Sequence, residues 1–346
     1  MLEPLHFLSH MSLNQMSSKK AIPIGLVLVM TLSGCAVVKN ILPQKAEVNF
    51  LSGKSGNNGA VLVVKIDDTT QAHPQIGLED ADVVYIEQVE GGLTRLAAVF
   101  SSVIPQRIGP VRSARISDID ILSQYGRVAF AYSGAQRKFL PVIEAANLQD
   151  LGAQHEGSSI YTTDPNRTPP YAMVLRADLL MKKILDKKFT VDKAKNVGFV
   201  FGDKNDGGVK TDMVVMHWPA ATYSATWSES DQRWLLGHNN SPNMAESGFH
   251  LGPTTLVIQM VSITASEYKD KLGGVTPLSH TIGYGKAYIL RNGELFAGSW
   301  NRASADSGTT FSMPNGDPIN FAAGQVWIAL TDSEPDFTSR PTSKSK

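Results

Sequence analysis

Between Glu87 and Arg115 the chain runs E-Q-V-E-G-G-L-T-R-L-A-A-V-F-S-S-V-I-P-Q-R-I-G-P-V-R-S-A-R, and this stretch constrains the fold more than any other. Val83 to Val89 and Leu93 to Phe100 are short apolar runs of strand character, and Gly91-Gly92 between them supplies a tight turn. They are expected to pair as a β-hairpin. Glu87, Glu90 and Arg95 flank that turn, and Arg107, Arg112 and Arg115 follow in a loop pinned by Gly109-Pro110. Side chains alternate along a strand, so Glu87 shares a face with Val83 and Tyr85. Glu90 falls on the other face unless the glycine corner bulges.

The surrounding segments predict an α+β protein. Val61 to Ile66 is a β-branched run and a buried strand. Ser117 reads as the N-cap of a helix from about Asp118 to Tyr125, with Asp120 as its capping-box partner and Ile116 and Ile121 as a hydrophobic staple. Val128 to Tyr132 is a strand, Lys138 to Ala146 a helix, and Asp178 caps a further helix reaching about Lys188. Beyond Asp212 the pattern is β, with strands expected at Met213 to His217, Arg233 to Leu236, Thr255 to Ile263, Lys286 to Arg291, Glu294 to Trp300 and Gln325 to Leu330. Asn292-Gly293 joins two of them in a tight hairpin. The domain plan is therefore a mixed layered-sheet α/β domain over 60–200, a linker over 201–212, a β-rich domain over 213–331 and a disordered tail over 332–346.

The N-terminus reads as an address. Lys19 and Lys20 precede an uncharged, mostly apolar run from Ala21 to Leu32, too short for a comfortable membrane span. The run ends in Leu32-Ser33-Gly34-Cys35, which resembles a bacterial lipobox and implies cleavage before Cys35 and lipid on its thiol. Residues 1–34 are thus expected to be a signal peptide and 35–59 a flexible tether. Cys35 is the only cysteine, so no internal disulfide can form and packing must hold the fold. Lys and Arg number 32, as do Asp and Glu. Without a basic excess, a nucleic-acid partner is not expected, and attachment to the cell membrane would come from acyl chains.

Several segments resemble the YerB-like family of bacterial lipoproteins, a two-part domain of unknown function. They include Val64-Lys65-Ile66-Asp67, Ala81-Asp82-Val83-Val84-Tyr85-Ile86-Glu87, Val89-Glu90-Gly91-Gly92-Leu93-Thr94-Arg95 and Ile108-Gly109-Pro110-Val111-Arg112-Ser113-Ala114-Arg115. Gly298-Ser299-Trp300-Asn301-Arg302 and Gly324-Gln325-Val326-Trp327 match the second part more loosely. The resemblance spans roughly 60 to 330 and implies layered sheets without an established reaction. One departure stands out. The family usually carries Ala-Pro-His-Asn after an arginine near mid-chain, whereas here Arg167 precedes Thr168-Pro169-Pro170-Tyr171-Ala172. Tyr171 and Ala172 take the places of the histidine and asparagine.

Two chemistries fit the opening stretch. Arg95, Arg112 and Arg115, with Ser113 beside them and Glu87 and Glu90 to orient them, could bind an anion through forked hydrogen bonds, or close the hairpin as ion pairs. A binding or scaffold module for an anionic envelope polymer or an envelope protein follows. The alternative is an envelope hydrolase with Glu87 and Glu90 as an acid–base pair. Ser113 and Ser133 lack a nucleophile-elbow pattern and a histidine tied to them. The histidines outside the presequence are scattered with no pair at metal-ligand spacing, so no metal or cofactor is expected, and any metal site would be assembled only in three dimensions. Trp218, Trp227, Trp234, Trp300 and Trp327 are expected in the core of the second half.

Overall fold

A computed structural model describes residues 47–339 of the protein. In the first half, strand β1 (Leu62–Asp67), β2 (Val83–Gln88) and β3 (Thr94–Phe100) lack polar alternation, and the structure covers both of their faces. β2 and β3 form the expected antiparallel hairpin, with Glu87 opposite Arg95. Gly91 and Gly92 turn the corner at φ 71° and 73°, a left-handed conformation that favours glycine. A short strand β4 (Arg107–Ile108) leads into the arginine loop and helix α1 (Ser117–Ser123). The cap differs from expectation. Ser117 lies inside the helix and accepts the Ser279 N–H at 3.0 Å, while Asp118 accepts the Arg115 N–H at 2.7 Å. Then come β5 (Val128–Ala131), α2 (Leu140–Ala145) with Pro141 in its first turn, β6 (Leu148–Asp150), β7 (Tyr161–Thr163), β8 (Met173–Arg176) and α3 (Ala177–Lys187).

The second half supplies β9 (Val209–Trp218), β10 (Ala221–Ser228), β11 (Arg233–His238), β12 (Ser241–Pro242), β13 (Thr255–Met260), β14 (Ile263–Lys269) and β15 (Val275–Ser279). β16 (Gly283–Arg291), β17 (Glu294–Arg302), β18 (Thr310–Ser312), β19 (Val326–Thr331) and β20 (Asp336–Ser339) complete it. Asn292 (φ 50°) and Gly293 (φ 72°) make the two-residue turn between β16 and β17. The protein is α+β, with its helices in the first half and strands throughout.

The two halves share one sheet. β19 pairs in parallel with β2, Val326 opposite Val83, so a strand from the end of the chain completes the N-terminal hairpin. The order β12-β11-β10-β9-β17-β16-β13-β19-β2-β3-β1-β5-β6 runs through both. Alternate residues of β1 feed opposite cores: Leu62, Val64 and Ile66 one, Val63 the other. α1 and α2 cover the Val63 side, and α3 with β10 and β11 the other. Each fully buried aliphatic side chain stabilises by about 1.5–3 kcal/mol. All five tryptophans are buried in these cores.

Three expectations change. The tether expected over 35–59 gives way within the described residues, because Leu51 and Asn49 are fully buried. The Asn49 carboxamide accepts the Leu51 and Ser52 N–H groups at 2.9 and 3.1 Å and donates to Ser101 Oγ at 2.9 Å, satisfying a polar segment inside the protein. The linker expected over 201–212 is also integrated. Phe201 packs edge-on against Phe321 with centroids 5.9 Å apart, and 209–212 open β9. The tail expected to be disordered from 332 instead forms β20 on the edge of β9, with Phe337 against Tyr288. The signal peptide, Cys35 and residues 340–346 lie outside the described residues, and none of the described helices is long and apolar enough to cross a membrane.

Candidate functional site: an arginine-lined cavity and a second cleft

The sequence pattern of β1 and β3 places Asp67 and Arg95 at the strand ends, opposite one another in register and on the face covered by α1. The arginine loop is laid against them as an added strand. Arg112 N–H donates to the Lys65 carbonyl at 2.8 Å, and Ser133 N–H donates to the Arg112 carbonyl at 2.9 Å. This fixes where the side chains point. Arg112 Nε sits 2.6 Å from Asp67. Arg115 Nε lies 2.7 and 2.8 Å from the two Glu90 oxygens. Arg95 Nη1 donates to the Ser113 carbonyl at 3.2 Å, and no carboxylate among the described residues comes within ion-pair distance of it.

These side chains open onto a cavity of about 330 Å³. Of the residues expected here, Glu90, Arg95, Arg112, Ser113 and Arg115 line it. Phe139 and Tyr268, ring centroids 5.3 Å apart, form an apolar wall, and the β14–β15 hairpin tip adds Lys269 and Lys271. Lining cations outnumber the lining anions Glu90 and Asp270. Burial would raise the Glu90 carboxyl, but Arg115 and the Thr276 hydroxyl outweigh it and hold the group below its usual range. Arg95 is pushed down to about 9, first by burial and then by Arg115 and Arg112. The site thus strains to keep a third guanidinium charged and would gain from an incoming anion.

Glu87 is absent from the cavity. Its carboxylate is fully enclosed and ion-paired with Lys65, whose Nζ also donates to Asp118 at 2.7 Å. Burial pushes the Lys65 ammonium down to about 8, with Asp118 pulling it back up. The expected pair of carboxylates is therefore split: Glu90 meets the cavity, and Glu87 is sealed behind it. Ser113 Oγ is 3.4 Å from Ser133 Oγ and has no histidine in contact among the described residues. Taken together, Lys65, Arg95, Arg112 and Arg115 balance Asp67, Glu87, Glu90 and Asp118 in number. The balance is polarised: two carboxylates crowd Lys65 in the interior, and the unpaired guanidinium faces the cavity.

A second concavity of about 500 Å³ lies beside Gln71, His73, Arg167, Tyr171 and Glu246. Arg167 donates to the Ala72 and Pro74 carbonyls at 2.9 and 2.6 Å, bracing the loop that carries His73. Tyr171 lines this cleft. Sequence reading assigned His73 no role, because its neighbours are remote in the chain.

Residues 51–190 match the family described as a protein of unknown function (DUF3048), N-terminal domain, and residues 214–328 match the DUF3048 C-terminal domain. YerB of Bacillus subtilis (strain 168), named as a candidate lipoprotein, is 21% identical over 285 residues, which is 82% of this chain and 83% of YerB. The crystal structure of YerB from Bacillus subtilis shares the fold, with a TM-score of 0.73 at 17% identity over 85% of this chain and 100% of that one.

Proposed function

The chain belongs to the DUF3048 family, whose function is unknown, and on that footing we propose that it is a lipid-anchored cell-envelope protein that binds anionic groups of an envelope polymer in the Arg95–Arg112–Arg115 cavity. The observation that carries this reading is Arg95: nine-tenths buried, held among two other guanidiniums, and without a carboxylate of its own among the described residues. A guanidinium in that setting favours a bidentate acceptor such as a phosphodiester or carboxylate. The Phe139–Tyr268 wall suits the carbon backbone or sugar face attached to such an anion.

Calorimetry on the full-length protein in detergent tests it, with inorganic pyrophosphate and an oligomeric glycerol phosphate as probes. Arg95→Met should weaken binding by about 10- to 100-fold, the worth of one hydrogen bond to a charged group at about 1.5–3 kcal/mol. Glu90→Gln, which removes a lining negative charge, should leave affinity unchanged or raise it. Binding that survives Arg95→Met at full strength, or heat from neither probe, overturns the reading. Binding only to an acidic protein would redirect it to a protein partner.

The anchor has its own support: the Leu32-Ser33-Gly34-Cys35 sequence and the name given to the relative YerB. Cys35→Ser should move the protein from the membrane pellet to the soluble fraction on ultracentrifugation. Unchanged membrane association would refute lipid attachment at Cys35.

A further inference from the structure

Asp67 and Asp68 leave the end of β1 towards opposite faces, as do Thr94 and Arg95 at the start of β3. Asp67 and Arg95 serve the arginine cavity. Asp68 and Thr94 meet on the other side, where Thr94 Oγ1 donates to Asp68 Oδ2 at 2.6 Å and Tyr223 OH donates to Asp68 Oδ1 at 2.7 Å. Asp68 is almost fully buried. Among the described residues its ion-pair partners are His73, with Nε2 3.3 Å from Oδ1, and His238, with Nε2 3.8 Å from Oδ2. Burial would raise the Asp68 carboxyl, yet His73, His238 and Thr94 hold it below its usual range.

Among the described residues, two buried atoms of the side chains around this carboxylate lack a hydrogen bond: His238 Nε2 and Gln75 Oε1. The imidazole is 4% exposed and its bare nitrogen faces Asp68, an arrangement that costs free energy unless something is bound there. The Gln75 amide nitrogen lies 3.1 Å from His73 Nε2 and 3.4 Å from Asp68 Oδ1, so it bridges two of the three side chains. One donor atom from each of Asp68, His73 and His238 lies within 4.8 Å of the others. Around a tetrahedral ion with bonds of about 2.0–2.2 Å, neighbouring ligand atoms stand roughly 3.3–3.6 Å apart.

We propose that Asp68, His73 and His238 form a binding site for a divalent transition-metal ion, zinc by the character of its donors. The two imidazoles now lie ring over ring, centroids 4.4 Å apart and 11° from parallel, and binding turns one about its Cβ–Cγ bond so that both lone pairs converge. Tyr223 and Thr94 hold the carboxylate in place by donating to its two oxygens. His73 is the most accessible of the three and lines the cleft shared with Arg167 and Tyr171, so a fourth ligand, water or an anion, enters from there. The ion ties the loop after β1 to the end of β11, and with it the first half of the chain to the second.

The test strips the full-length protein with a chelator and titrates it with Co²⁺ alone, then with Zn²⁺. One equivalent of Co²⁺ should bind with the visible absorption of a four-coordinate nitrogen–oxygen site, and Zn²⁺ should displace it. His238→Phe and His73→Phe, apolar replacements of similar shape, should lose the stoichiometric equivalent while retaining cooperative unfolding. Tyr223→Phe should weaken Co²⁺ binding about 10- to 100-fold. The proposal is overturned if the wild-type protein takes up neither ion, or if His238→Phe binds the same equivalent. It is equally overturned if the two histidines titrate with protons in NMR but do not respond to metal, which would identify a hydrogen-bonded proton site.

Discussion

Replacing Lys65 with methionine should destabilise the fold by about 3–5 kcal/mol, read as a lower urea midpoint at unchanged slope. Among the described residues Lys65 is the one cation ion-paired with Glu87 and Asp118, and all three side chains are fully enclosed. Methionine fills much the same volume, so the loss comes from stranding two carboxylates in the interior. Both would then prefer their protonated forms, with pKa values raised above the ordinary value of about 4. A carboxyl whose folded pKa is raised binds more protons folded than unfolded, so lowering the pH towards about 4 should restore part of the variant's stability relative to wild type. A deficit independent of pH would mean that packing, not charge, is what Lys65 supplies.

Arg302→Met should cost at least about 3 kcal/mol. Arg302 ends β17 and is fully buried, with no carboxylate in contact among the described residues. Its guanidinium donates to the carbonyls of Ser307 (3.0 Å), Asp120 (2.6 Å) and Ala305 (2.6 Å), and to the hydroxyls of Thr281 (3.1 Å) and Ser123 (3.0 Å). Two of those acceptors belong to α1, so a single side chain fastens the helix behind the arginine loop to the second half. Truncation orphans several buried acceptors at about 1–3 kcal/mol each, softened only where water can enter. Arg302→Lys should fail to rescue, since one ammonium cannot reach acceptors spread over a planar fork. Urea unfolding checks both variants. The half-exposed pair Arg176–Asp178 is the control, and Arg176→Ala should leave the midpoint nearly unmoved.

The arginine cavity was half legible. Arg95, Arg112, Ser113 and Arg115 could be grouped because they stand close in sequence around a turn and a loop. The partition of Glu87 from Glu90 could not. It depends on Lys65, which belongs to β1 and is separated from β2 by β3, and on Asp118 of α1. The hairpin tip that adds Lys269 and Lys271 comes from the other half of the chain. His73 and His238 were scattered residues on paper and meet only because β11 and the loop after β1 close over the same core. The segments misread as tether and tail were judged by polar composition. Asn49 and Phe337 are accommodated by partners far along the chain.

By itself the sequence determined what depends on near neighbours. The β2–β3 hairpin follows from two apolar runs and two glycines free to adopt positive φ, and the β16–β17 turn from Asn292-Gly293. The both-face burial of the strands follows from their lack of polar alternation. Only the tertiary structure decided which strand lies beside which, since apolar runs of similar length are interchangeable as partners until the whole chain is packed. The parallel pairing of β2 with β19 makes one sheet of two halves. The alternation of side chains across that sheet then places Arg95 and Asp67 in one site and Thr94 and Asp68 in another, back to back at the same strand ends.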